Sequence, residues 1–282
     1  MPGIDLHTHS TASDGTMTPT ELVEHAYKRE VSALALTDHD TTAGVTEAID
    51  AGNKLGVEVI SGCELSVTSD YGWMHIIGLF IQPEAPHLSQ IFSFMKNSRE
   101  IRNIQIVKKL QDLGIDITMK EVEERAGNTI GRPHMAQILV EKQVSRNTRA
   151  AFNEYLGDKG KAYVPKDNVS PRKAIETIHE DGGIAILAHP LLLSVGQAKM
   201  EEILTELRGL GLDGIETYYS LHSQRETEEM VRMADKLNLL ESGGSDFHGT
   251  VKPLISLGTG KGSLYVPPRV LEEMKEYRKN RI

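Results

Sequence analysis

A chain of 282 residues, 39% apolar and 25% charged, has the composition of a soluble globular protein and room for one large α/β domain or two ordinary ones. A formal net charge of −9 argues against wrapping a long polyanion such as duplex nucleic acid, although bound cations would make a site for a small phosphorylated substrate locally positive. Cys63 is the only cysteine, so no intrachain disulfide is possible, and the absence of a membrane-length apolar run or a secretory signal predicts a cytoplasmic protein without membrane attachment.

Apolar strand-like runs alternate with amphipathic helical stretches along most of the chain. A short apolar run from Ile4 leads into His7, His9 and Asp14. Thr18-Pro19-Thr20-Glu21 reads as a helix start, with a capping Thr, Pro at the first helical position and Glu three after the cap. Strands follow at Ala33–Asp40, at Val57–Leu65 (ending at Glu64), and at Trp73–Phe80, the last paired with its predecessor through an Asp70-Tyr71-Gly72 turn, with a helix from Gly44 to Leu55 stopped by Gly56. From about Pro86 to Ser170 the signals are all helical, which predicts an insertion over 86–170 between barrel segments 1–85 and 171–282. The alternation resumes with strands at Ile184–Pro190, Gly214–Ser220 and Leu239–Gly249, and a last helix from about Arg269. Seven strands, most followed by helices, predict a parallel sheet closed into a TIM-like barrel, with an open doubly wound sheet as the alternative. No glycine-rich dinucleotide or P-loop motif is present.

Polar residues stand at the expected strand ends: His7 and His9, Asp38 and His39, Glu64, His75, His189, and Asp246 with His248. Side chains two apart on a strand share a face, so His7-x-His9 and Asp246-x-His248 can each grip one ion. Six of the eleven histidines fall in such positions, a concentration that chance does not give. His25, His87 and His179 lie in or at the starts of helices and read as structural. Imidazoles and carboxylates without thiolate favour Zn²⁺, Mn²⁺ or Fe²⁺, and so many ligands fit two or three ions with Glu64 bridging. Such a site suits phosphate ester hydrolysis, because the ions activate a shared water and neutralise phosphoryl oxygens.

HTHSTASDGTMTP from His7, LTDHDT from Leu36, GCELS from Gly62, the His75 strand, AHP from Ala188 and GGSDFHG from Gly243 together resemble the PHP (polymerase and histidinol phosphatase) superfamily. GRPHMA at Gly131 resembles its nucleoside 3′,5′-bisphosphate phosphatases and 5′-to-3′ exonucleases acting on short RNA. The resemblance implies an α/β fold, a distorted seven-stranded TIM-like barrel with an all-helical insertion, holding three divalent ions. One ion would take His7, His9, Glu64 and Asp246; a second Glu64, His75 and His189; a third Asp14, His39 and His248. Arg132 and His134 would clamp the substrate phosphate, His134 also serving to protonate the leaving oxygen, with Asp246 counted beside them as catalytic. His222 is a further candidate substrate contact; Asp38 is assigned to orienting a ligand, Cys63 to the core, and Lys161 and Tyr163 carry no assigned role. The implied activity is removal of the 3′-phosphate from nucleoside 3′,5′-bisphosphates and trimming of short 5′-phosphorylated oligonucleotides, by metal-activated hydroxide attack on phosphorus. The alternatives are histidinol-phosphate phosphatase and a non-catalytic, metal-stabilised PHP module.

Overall fold

The computed structural model describes residues 3–125, 130–165 and 169–281. Its seven strands form one sheet in chain order: β1 (Ile4–Thr8), β2 (Ala33–Leu36), β3 (Glu58–Ser69), β4 (Gly72–Leu79), β5 (Ile184–Leu187), β6 (Gly214–Tyr219) and β7 (Leu240–Gly244). Chain contacts divide the molecule into one unit of residues 1–92 with 169–282 and a second of residues 93–168.

In the first unit the sheet curls until β7 returns to β1. The His9 N–H donates to the Phe247 carbonyl and the Asp246 N–H to that of His7, both at 2.9 Å. Gly244 permits this approach, since a Cβ there would lie 2.4 Å from the His7 nitrogen. The result is the expected nearly closed barrel, with one correction to the expected parallel sheet: β4 runs antiparallel to both β3 and β5. The turn between β3 and β4 is too short for the crossover that a parallel pair requires. The same hairpin extends β3 past Glu64, because pairing continues to Ser69 opposite Gly72.

Inward-facing Ile4, Ala33, Ala35, Ile60, Ile77, Leu79, Ile184 and Ile186 fill one end of the barrel. Each of the Ile and Leu side chains contributes about 1.5–3 kcal/mol on full burial. Helix α1 (Pro19–Lys28) starts where the sequence predicts, with the Glu21 N–H donating to Thr18 Oγ1 (3.2 Å) and the Thr18 N–H to Glu21 Oε2 (2.8 Å). Helix α2 (Val45–Leu55) stops at Gly56, whose φ of +74° glycine adopts without strain. Both helices bury their apolar faces against the outward Leu34 and Leu36.

The second unit has only helices as regular elements among its described residues. It begins inside α3 (Pro86–Asp112) rather than at that helix's start. It continues through α4 (Met119–Arg125), α5 (Arg132–Glu141) and α6 (Thr148–Ala151), which runs on as a π-helical turn over Phe152–Leu156. Ile106, Leu110, Val122, Met135, Leu139 and Leu156 form its core. Residues 126–129 and 166–168 of the expected insertion lie outside the described residues.

The first unit resumes with α7 (Pro171–Glu180), α8 (Gln197–Gly209) and α9 (Gln224–Leu237), which alternate with the last three strands. Helix α10 (Pro268–Arg281) then closes the apolar end of the barrel with Val270, Leu271 and Met274. Among the described residues no helix is long and apolar enough to cross a membrane.

Candidate metal centre

The histidines reach one rim of the barrel by a route that plain strand alternation does not give. In β1, Asp5 pairs with Leu34 and Thr8 with Leu36, so Leu6 and His7 together stand opposite the single residue Ala35. This bulge sends Leu6 into the apolar core while His7, one residue on, joins the polar rim. His75 lies near the start of β4, not at the C-terminal strand end expected of it. Because β4 runs backwards, its start meets the rim that the other strands reach with their ends. His189 and Asp246 follow their strands in left-handed conformations, with φ of +30° and +56°.

Glu64 is the hub. Its Oε2 lies 3.3 Å from His7 Nε2, 3.3 Å from His9 Nε2 and 3.0 Å from His39 Nδ1. Its Oε1 lies 2.7 Å from His75 Nδ1 and 3.0 Å from His189 Nε2. Asp246 Oδ1 is 3.6 Å from His7 Nε2 and 3.4 Å from His9 Nε2. On the far side Asp14 Oδ1 approaches His248 Nε2 (3.3 Å) and His9 Nδ1 (3.8 Å). All nine predicted ligands therefore meet. Their grouping differs from the expected partition, because His9 stands with Asp14, His39 and His248 as well as with His7 and Asp246, and His39 also groups with Glu64 and His75.

The donor set fits divalent metal. His7 Nε2 and His9 Nε2 are 3.1 Å apart, too close for both to carry a proton. Two nitrogens held 2.0–2.1 Å from a tetrahedral ion lie roughly 3.3 Å from each other, close to the spacing found. Buried His9 Nδ1, His39 Nδ1, Glu64 Oε2 and His75 Nε2 lack a hydrogen-bond partner. Leaving such atoms uncompensated is costly, and a shared cation would satisfy them together.

Burial alone would raise the pKa of Glu64, but His7, His75 and His39 hold it well below the usual carboxylate range. Asp246 is likewise lowered against its burial, by His7 and His9. Burial would lower His9, yet the carboxylates of Asp246 and Glu64 beside it raise it to about 9. His39 goes the other way: burial pushes it down to about 3, despite the opposing pull of Glu64. The metal-free site at pH 7 thus holds ionised carboxylates and a proton between His7 and His9. Binding of Mn²⁺ at pH 7 should release about one proton from that pair, and apparent affinity should climb as pH rises toward about 9. Calorimetric titration in two buffers of different ionisation heat reads the proton count, and a count of zero would contradict this charge assignment.

Three contributors escape sequence reasoning. Glu216 Oε1 accepts from His7 Nδ1 (3.0 Å), which leaves His7 Nε2 as the donor to metal, and its Oε2 accepts from the His189 N–H (2.7 Å). Tyr219 donates its hydroxyl to Asp246 Oδ2 (2.9 Å), and Lys252 Nζ donates to the same oxygen (2.6 Å). Asp246 thereby keeps Oδ1 turned to the histidines. A second bulge, at Thr217 in β6, lets Glu216 and Tyr219 face the same side although three residues apart.

Asp38 turns away from the cluster and accepts from the Ser10 N–H (2.8 Å), Ser10 Oγ (2.6 Å) and Ser13 Oγ (2.5 Å), bracing the loop that carries His9 and Asp14. Cys63 is buried, its thiol pushed up by burial and so inert. His222 donates from Nδ1 to the Thr217 carbonyl (3.0 Å) and lies edge-on to Tyr219, touching no cluster ligand. His25 stacks on Phe247, while His87 and His179 pair with Asp181 and Asp213, each at 2.7 Å. Within the second unit, Arg132 and His134 occupy the first turn of α5. Arg132 Nη1 donates to the Leu156 carbonyl (3.0 Å), and the Gly131 N–H donates to His134 Nδ1 (3.2 Å), leaving His134 Nε2 as its outer nitrogen. Lys161 pairs with Glu154 (2.9 Å), and Tyr163 offers its carbonyl to Lys109 (2.6 Å).

Beside the cluster opens a pocket of about 340 Å³. Its lining includes Glu64, His75, His189, Asp246 and Lys252 together with Trp73, Leu192, Leu193 and Leu221.

A family model described as the PHP domain matches residues 5–158. A 5′-3′ exoribonuclease of Haemophilus influenzae is 38% identical over 244 residues, covering 86% of this chain and 89% of that protein. A 3′,5′-nucleoside bisphosphate phosphatase of Chromobacterium violaceum is 34% identical over 250 residues, covering 88% of each. A solved structure of an amidohydrolase from Chromobacterium violaceum, with bound sulfate and no metal, superposes with a TM-score of 0.77 at 33% identity over 98% of this chain and 96% of that one.

Proposed function

This chain belongs to the PHP domain family, and from that premise we propose that it is a metal-dependent phosphoesterase that removes the 3′-phosphate of nucleoside 3′,5′-bisphosphates and trims short 5′-phosphorylated oligonucleotides. The observation that carries the reading is the meeting of nine imidazole and carboxylate ligands, Glu64 at their hub, at spacings suited to shared divalent ions and with no thiolate among them. Two or three ions of Mn²⁺, Zn²⁺ or Fe²⁺ held there would supply Lewis acid charge and lower the pKa of a coordinated water.

The chain's own residues do the rest. Glu64 and Asp246 carry the negative charge that balances bound cations, and Glu216 fixes the tautomer of His7. Lys252, on the pocket wall, offers an ammonium to a non-bridging phosphoryl oxygen. Arg132 is assigned to the substrate phosphate, since guanidinium suits a bidentate contact. His134, with Nδ1 taken by the Gly131 N–H, retains Nε2 to hydrogen-bond phosphate or protonate the leaving oxygen. His222, edge-on to the pocket-lining Tyr219, is assigned to substrate binding. Small nucleotide substrates go with a cytoplasmic location, and the acidic surface disfavours long duplexes.

The test is phosphate release by the purified protein with Mn²⁺ from adenosine 3′,5′-bisphosphate, histidinol phosphate and a 5′-phosphorylated RNA trimer. The expected result is strong preference for the bisphosphate with some trimming of the trimer. Preference for histidinol phosphate would overturn the nucleotide reading, and silence on all three in metal-loaded protein would favour a non-catalytic module. Arg132→Ala should lower kcat/KM roughly 10²-fold with metal content intact. Equal metal loss would sink its role as a substrate contact.

A further inference from the structure

Trp73 is the only tryptophan of the chain, and it stands two residues before a metal-cluster histidine. Its side chain is 57% exposed, although an indole is among the groups that gain most from burial. It lies edge-on to His75, with ring centroids 4.4 Å apart and planes at 65°. The antiparallel course of β4 is what brings it to the rim. Two further large apolar side chains beside it, Leu192 and Leu221, are 55% and 46% exposed and line the same pocket. Exposed apolar groups scattered singly need no explanation, but three that line one pocket together with a charged cluster mark a ligand surface. The same lining includes Lys252 with Glu64, His75, His189 and Asp246.

The lining therefore combines two chemistries, charged groups that suit a phosphoryl group and apolar groups that suit something flat attached to it. An aliphatic phosphate offers the exposed part of the indole no flat surface to meet, whereas a planar heterocycle can stack on it. We propose that Trp73, backed by Leu192 and Leu221, is the nucleobase platform of this enzyme and the residue that makes it prefer base-bearing phosphate esters. The proposal rests on the phosphoesterase reading of the same site and adds to it a specificity-determining residue. Stacking is tolerant of base identity, because every base has a π-face. The platform therefore predicts broad acceptance of nucleotides over base-free esters, rather than selection of one base.

The test compares adenosine 3′,5′-bisphosphate with methyl riboside 3,5-bisphosphate, which has the same phosphates and no base, on Mn²⁺-loaded protein. Wild type should favour the base-bearing compound by roughly tenfold or more in kcat/KM. Trp73→Ala should remove most of that ratio, and Trp73→Phe, which keeps a stacking face, should retain much of it. Because Trp73 is the sole indole, its fluorescence reports the same event, with quenching by the adenosine compound and little by the riboside. Equal losses on both substrates in Trp73→Ala would overturn the proposal, since a residue that merely shields His75 would act that way. If neither compound is turned over, the catalytic reading fails, but quenching requires no turnover and still decides the platform: equal or absent quenching by both compounds overturns it.

Discussion

Glu64→Gln is expected to lower kcat/KM by roughly 10³-fold, the upper end of what losing one electrostatic stabiliser costs, and to reduce bound metal by at least about one ion per chain. Five imidazoles lie within 3.3 Å of this one carboxylate, divided between its two oxygens. The amide preserves the shape but halves the acceptors and turns an NH₂ toward nitrogens that need lone pairs facing a cation. Peripheral ligands such as Asp14, which is half exposed, have solvent to compensate them, and Glu64 is fully buried. Steady-state kinetics and metal analysis on the same preparation check this outcome. Near-native turnover with full metal content would remove Glu64 from the centre of the site.

Chelation of metal from the native protein should abolish turnover, restore it on Mn²⁺ addition, and lower the melting temperature substantially. A ligand present at a thousand times its Kd stabilises the folded state by about 4 kcal/mol. In a chain of this size that corresponds to roughly 10 °C. The physical source is the set of buried nitrogens and oxygens that lack hydrogen bonds without a cation. Differential scanning calorimetry before and after chelation measures the shift, and an unchanged melting temperature would mean that the polar rim is satisfied without ions.

The barrel was legible in the sequence because buried strands and amphipathic helices leave different periods in the chain. The pairing of β4 with β3 was legible in the short Asp70-Tyr71-Gly72 turn, whereas its antiparallel course next to β5 leaves no mark in the apolar pattern. The ligand histidines could be picked out by their spacing, although that spacing works in β1 for a reason the sequence hides. The bulge moves His7 from one face to the other after Leu6, so simple alternation alone would leave the two side chains on opposite faces. Glu216 and Tyr219 went unread for the same reason, being three apart on a strand whose extra residue cannot be seen in its composition. Lys252 lies beyond β7 in a loop, where no period exists to aim it. The division among ions was also out of reach, since His9 and His39 each stand in two groups at once. The start of the second unit falls within the continuous helix α3, which carries no break in composition to announce it.

His189 and Asp246 are held in backbone conformations that cost an ordinary residue roughly 1–2 kcal/mol each. Glycine would sit at either position at less conformational expense and would bring nothing to the rim. At these two places durability of the fold and performance of the site pull in opposite directions. A programme of thermostabilisation run on metal-free protein and guided by melting temperature alone would be drawn to these positions and would trade away the centre it set out to preserve.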